Sequence, residues 1–181
     1  MVITENHGAH GTTASRAEII HHTGFCASNV SFWGTGVYFF HRFPDGRDLA
    51  LKWHAKALDD GHYASDENKS CAVIYAIIKA EEENVFDLYE PKAYGIYLNL
   101  LQYIEERERR KGKKYSHEEK NHIRDKWLRQ YEVLNETKIK VLCCSIPVPK
   151  KQFRPIKETC CIVVRDVNCI QRPYEEEVLY E

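Results

Sequence analysis

Four near-continuous apolar runs constrain this chain most: "GVYFF" (36–40), "CAVIYAIIKA" (71–80), "IKVLCCSI" (139–146) and "CCIVV" (160–164). A strand with one wet face alternates apolar and polar residues. A run that is apolar throughout and rich in Val, Ile and aromatics reads as a strand covered on both faces. Such strands need helices to cover them, and helical patterns lie between the runs. The expectation is one α+β domain over residues 1–181, long enough to bury a single core. The longest apolar run, 71–78, is too short to span a bilayer. The N-terminal "MVITENHGAH" lacks a basic-then-apolar leader pattern. A cytoplasmic protein with no membrane association is therefore expected.

Ser15 and Glu18 have capping-box spacing for a helix through about His22, which Gly24 would end. Asp45 stands where it can cap a second helix, with Leu49, Trp53 and Ala57 on one face and Gly61 at its end. Two longer helices follow. Tyr94, Tyr97, Leu98, Leu101 and Ile104 make one stripe, and Ile123, Trp127, Tyr131 and Leu134 another. Together they read as a helical insertion over 95–135. At its tip lies "ERERRKGKKYSHEEKNHIRDK", with Gly112 at the turn. Mixed charge at helical spacing predicts a solvated face. The basic part, Arg107, Arg109, Arg110, Lys111, Lys113 and Lys114, keeps a phosphate-contacting role open. Net charge is −1, so any preference for nucleic acid must be local.

Seven cysteines occur without a CxxC. Cys143–Cys144 and Cys160–Cys161 are neighbours inside strand-like runs, so each pair points to opposite faces. Reduced, buried thiols behaving as small hydrophobes are expected. A zinc site from His7, His10, His21 and His22 is disfavoured, because adjacent residues on a helix diverge by about 100°. No metal is expected.

Two stretches suggest a site: "HGAHGTTASRAEIIHHTGF" (7–25) and "FWGTGVYFF" (32–40). Neither is a phosphate loop; "GTGVYF" lacks the third glycine and following helix of a dinucleotide fingerprint. Gly11 permits close approach of the backbone, and Thr12 adds a hydroxyl that donates and accepts. Tyr38 in an apolar strand reads as a core aromatic whose hydroxyl finds a partner.

In order and spacing these motifs resemble the catalytic domain of the poly(ADP-ribose) polymerase family, within the wider ADP-ribosyltransferases. The resemblance rests on His10-Gly11-Thr12, Ile20 to Gly24-Phe25, Gly34-Thr35-Gly36-Val37-Tyr38-Phe39, Ala50 with Trp53, and residues 71–88. The stretch 161–170 resembles the family's last motif strand. The resemblance implies a split mixed β-sheet with flanking helices and NAD+ as co-substrate in the cleft. It implies that His10 binds the adenosine ribose, the Gly11 backbone receives the nicotinamide carboxamide, and Thr12 lies by the ribose. It also implies that Gly34 and Gly36 line the pocket, Tyr38 stacks on the nicotinamide, and Ala50 and Trp53 stand opposite.

The third catalytic position falls on Cys161, where polymerases carry Glu. A neutral thiol, with a pKa of about 8.5, cannot do a carboxylate's electrostatic work. Glu158, or one of Glu175, Glu176 and Glu177, would have to substitute. The resemblance therefore implies a mono-ADP-ribosyltransferase, a pentosyl-group glycosyltransferase acting on a protein or nucleic-acid acceptor. The compact chain resembles bacterial toxin or effector transferases, for which an antitoxin-type protein partner is expected. The alternative is a catalytically inactive NAD or ADP-ribose binding module.

Overall fold

A computed structural model describes residues 2–147 and 158–179. In chain order the elements are β1 (Ile3–Thr13), α1 (Ala14–Thr23), β2 (Ser28–Ser31), β3 (Gly34–His41), α2 (Gly46–Asp59), β4 (Cys71–Glu81) and β5 (Val85–Asp87). Then come α3 (Pro91–Lys111), α4 (His117–Leu134), β6 (Val141–Pro147), β7 (Glu158–Val164) and β8 (Ile170–Leu179). All four apolar runs are strands, and they occupy the interior of the sheet. Seven strands form one mixed open sheet in the order β5-β6-β7-β3-β1-β4-β8, and β2 pairs with β3. Among the described residues only β5 and β6 run parallel; the other pairs are antiparallel.

Both faces are covered, as continuous apolar strands require. On one face α1 sets Ala17 against Phe39, Ile74, Ile78 and Ile162. On the other, α2 contributes Leu49 and Ala50, and the α3–α4 hairpin contributes Ala93 and Leu128, over Val73, Leu142, Cys144 and Val163. The adjacent cysteines divide as expected: Cys143 lies in the first core and Cys144 in the second. Cys26 and Cys160 are exposed, contrary to a uniformly buried set.

Helix boundaries differ from expectation in one place. The N-cap of α1 is Thr13, whose hydroxyl accepts the Arg16 N–H at 3.3 Å, rather than Ser15. Ser15 instead ties α1 to the loop after α2, accepting the Asn68 N–H at 2.7 Å. The capping box belongs to α4, where Ser116 and Glu119 bond reciprocally. The stripes of α3 and α4 are also rotated. Tyr94, Leu98 and Leu134 are exposed, while Leu100, Glu108, Asp125 and Leu128 turn inward. The hairpin has two partners to satisfy: α3 and α4 share a small core of Leu100, Ile104 and Tyr115, while α4 also packs on β2 and β3.

Candidate functional site

The sheet is nearly divided between β1 and β3. Only Gly8↔His41 and Ala9↔Phe40 are in register, and the N-terminal half of β3 pairs with β2. The His7 carbonyl accepts the Arg42 N–H at 2.8 Å. In an antiparallel ladder the hydrogen-bonded pairs recur at every second residue. Ala9 with Phe40 and then Gly11 with Tyr38 would follow. Instead the Tyr38 carbonyl accepts from His10 Nδ1–H at 2.9 Å. The His10 side chain thus takes the bond that the Gly11 amide would have taken, and the strands part. By the same alternation, the N–H and C=O of Gly11 point to the side of β1 that β3 has left. Ser28 of β2 fills part of the gap, donating to the Gly36 carbonyl at 2.8 Å.

His10 is partly buried between Phe25 and Phe39, with ring centroids at 5.3 and 5.6 Å. Burial lowers its pKa, and the bond to Tyr38 opposes this only in part. A carbonyl can only accept, so the proton of the neutral ring sits on Nδ1 and Nε2 carries a lone pair.

Tyr38 points to the opposite face. Its hydroxyl accepts the Trp33 N–H at 2.8 Å and donates to the Gly34 carbonyl at 2.9 Å. Burial pushes its phenol pKa far up, so the hydroxyl stays protonated. The hydroxyl belongs to the β2–β3 turn, and the ring packs against the core beside Cys144 and Cys161.

The motif glycines have packing causes. A Cβ on Gly11 would stand 2.1 Å from the carbonyl oxygen of Ala50, so α2 crosses β1 at this glycine. Gly34 has φ +92°, and a Cβ there would lie 2.4 Å from Asp125 Oδ1. A Cβ on Gly36 would lie 2.8 Å from Val163 on β7. Ala50 is fully buried, while Trp53, one turn on, is 40% exposed. Thr12 is buried at 3% exposure. Beside it Arg16 holds Asp66 at 2.7 Å and Thr13 donates to the same carboxylate at 2.6 Å, anchoring the loop after α2.

The third position does not come together with this group. Cys161 is 1% exposed on β7, opposite Phe40 and Cys144, and its thiol meets the Cys144 thiol. The Glu158 side chain lies outside the described residues. Glu175, Glu176 and Glu177 stand apart from the split as well. They lie on β8, with Val73 of β4 between Gly11 and Glu177. Two interstrand spacings put Glu177 about 10 Å from Gly11, on the side away from β3. Each is also engaged: Glu175 by Arg42 at 2.8 Å, Glu176 by His21 at 2.7 Å, and Glu177 by Arg47 at 2.8 Å.

Three of the six residues of the basic segment are paired with carboxylates of their own hairpin. Arg110 pairs with Glu106, Lys113 with Glu119, and Lys114 and Lys120 with Glu108. Arg107 bonds the Tyr103 hydroxyl, and Lys111 lies 5.4 Å from the Tyr115 ring centroid. This arrangement matches the solvated-face expectation.

Among the described residues, shallow cavities lie by Val2 and Glu81–Glu83 and between α1 and residues 65–68. Among the described residues no three His, Cys, Asp or Glu side chains converge to hold a metal ion. No helix among them is long and apolar enough to cross a membrane. Sequence reasoning missed Trp33, Arg124 and Asp125. Trp33 lies inside the quoted motif, but the two α4 residues carry no local signal. Compared with known protein families, with curated proteins and with solved structures, the chain finds no match.

Proposed function

We propose that the split between β1 and β3 is an NAD+ site and that the protein transfers a single ADP-ribose to a macromolecular acceptor. The observation that carries this reading is the bond from His10 Nδ1–H to the Tyr38 carbonyl. It opens the ladder at Gly11 and leaves a main-chain donor and acceptor side by side. A primary carboxamide is complementary to that pair: its oxygen accepts from the Gly11 N–H, and its NH2 donates to the Gly11 carbonyl. The Tyr38 ring would stack on the nicotinamide, a contact worth about 0.5–1.5 kcal/mol beyond the buried area. Trp53 on α2 would face the nicotinamide from the other side. The lone pair on His10 Nε2 can accept a ribose hydroxyl.

In the reaction the C1′–N bond of the nicotinamide ribose breaks, and its electron pair leaves on neutral nicotinamide. The acceptor's nucleophile then bonds C1′ and loses its proton to solvent. Because the leaving group departs neutral, no general acid is needed; the demand is to stabilise an oxocarbenium-like ribose, as in other glycosyl transfers. With Cys161 buried beside Cys144, activation of a weak hydroxyl nucleophile is unsupported. Single transfer to a good nucleophile fits better than polymer growth. An ADP-ribosyltransferase-type split sheet is the finer fold reading that goes with this function. An antitoxin-type partner and a toxin or effector role belong to the same proposal.

A binding module without turnover is the second reading. It is favoured by the engagement of Glu175 and Glu177 in ion pairs on β8. The test incubates the protein with radiolabelled NAD+ and cell lysate, followed by parallel nuclease and protease digestion and a nicotinamide assay. Label lost with nuclease identifies a nucleic-acid acceptor, and label lost with protease a protein one. Both should vanish in Tyr38→Ala. NAD+ binding without released nicotinamide selects the module, and no binding at all refutes the site.

A further inference from the structure

We propose that α4 is a positioning element for Tyr38, acting through Asp125 and Arg124; the role given to Tyr38 rests on the NAD+ reading above. The helical insertion is more than a connection, because α4 grips the turn that joins β2 to β3. Asp125, 8% exposed, accepts the Thr35 N–H on Oδ1 at 3.3 Å while Arg129 holds its other oxygen at 2.8 Å. The closest approach falls at Gly34, where a side chain would collide with that carboxylate. One residue earlier on α4, Arg124 lies over the Phe32 ring, 4.4 Å from its centroid, and 5.6 Å from that of Trp33. Its Nη1–H donates to the Phe32 carbonyl at 3.3 Å.

The turn is therefore held at Phe32 and at Thr35, on either side of Trp33 and Gly34. Those two inner residues make both bonds to the Tyr38 hydroxyl. Trp33 also donates its indole N–H to the Ser145 carbonyl at 3.1 Å, which fixes the ring on β6. Tyr38 is tied by its hydroxyl to the turn, and the turn is tied to α4. A shift of α4 would move the phenol at one wall of the split while leaving the rest of the strand in register with β7.

The test uses the full chain and two readouts: amide hydrogen exchange at Trp33 and Thr35, and NAD+ affinity by calorimetry. Asp125→Ala removes the acceptor for Thr35 and should speed exchange at both amides at least tenfold. It should weaken NAD+ binding at least tenfold. Asp125→Asn keeps an oxygen for Thr35 but drops the charge that Arg129 pairs with, and should restore both readouts to within about threefold of the parent. A role in stability alone would give no rescue by Asn, because the ion pair is lost in both variants. Unchanged exchange in Asp125→Ala overturns the proposal. Faster exchange with unchanged NAD+ affinity overturns it too, since the turn would then be loosened without displacing Tyr38. If the parent chain binds no NAD+, the NAD+ reading fails separately, and Trp33 exchange alone decides whether α4 holds Tyr38. Should Asp125→Ala not fold, Arg124→Met takes its place, with the same faster exchange at Trp33 expected and the same refuting outcome.

Discussion

Gly11→Ala tests the geometry at the centre of the split. The added Cβ would stand 2.1 Å from the Ala50 carbonyl oxygen and 2.7 Å from its carbon. Real Cβ atoms do not approach heavy atoms within 3.0 Å, so α2 must retreat by about 0.9 Å at its contact with β1. The obstructing atom is backbone and cannot swing away. The buried faces of Leu49, Ala50 and Ala57 would move with it. Overpacking of this kind costs about 1–3 kcal/mol, and a backbone collision belongs at the top of that range. For a chain of this size about 1 kcal/mol moves the melting temperature by roughly 2–4 °C, so a fall of about 6–12 °C is expected. Thermal unfolding followed by far-UV circular dichroism reads it directly. Gly95→Ala is the internal control, because Gly95 lies within α3 and a Cβ added there would meet nothing within 4 Å. It should raise the melting temperature by about 1–4 °C, from the roughly 0.5–1 kcal/mol that Gly costs relative to Ala in a helix. A Gly11→Ala variant melting within about 2 °C of the parent would refute the claim that α2 rests on this glycine.

Three further outcomes are expected. Glu108, held by the Tyr115 N–H, Lys114 and Lys120, has its pKa pushed down to about 2. Its contribution to the α3–α4 hairpin is therefore present above its ordinary carboxylate range and lost as pH falls toward 2; helicity followed by circular dichroism should drop there, and Glu108→Gln should remove that step. His10 has a lowered pKa in the fold, so the unfolded chain takes up its proton first and stability falls as pH drops below about 6.5. Denaturant titrations should show a slope from this group of at most about 1.4 kcal/mol per pH unit, absent in His10→Gln, and identical slopes would place the imidazole in water. The ion pairs of the basic hairpin predict that Arg110→Ala, Lys113→Ala and Lys114→Ala combined barely alter binding to a single-stranded oligonucleotide. A fall of about 1.4 or more in the slope of log K against log salt would mean that the segment holds two or more phosphates.

The four apolar runs were legible as interior strands because burial on both faces leaves a local trace: only Lys79, Lys140 and Ser145 interrupt them. The α3–α4 hairpin was legible for a similar reason, with Gly112 in the left-handed conformation at its turn. β1 was not. Its "ITENHGAHGTT" reads as polar, yet it lies at the centre of the sheet, because Gly8 and Gly11 admit Phe39 and α2 while Thr13 and His10 find partners. β8 escaped notice because an edge strand keeps charged residues, here Glu175 and Glu177 in ion pairs. The sequence alone determined the strand cores, the helical hairpin, and the presence of His10, Gly11 and Tyr38 as residue types. Tertiary structure decided what they do to one another. A ladder bond taken by an imidazole, a glycine under a helix and a carboxylate from residue 125 at a turn near residue 34 are contacts between distant segments. No local pattern encodes such contacts, since each depends on where the sheet brings the other partner.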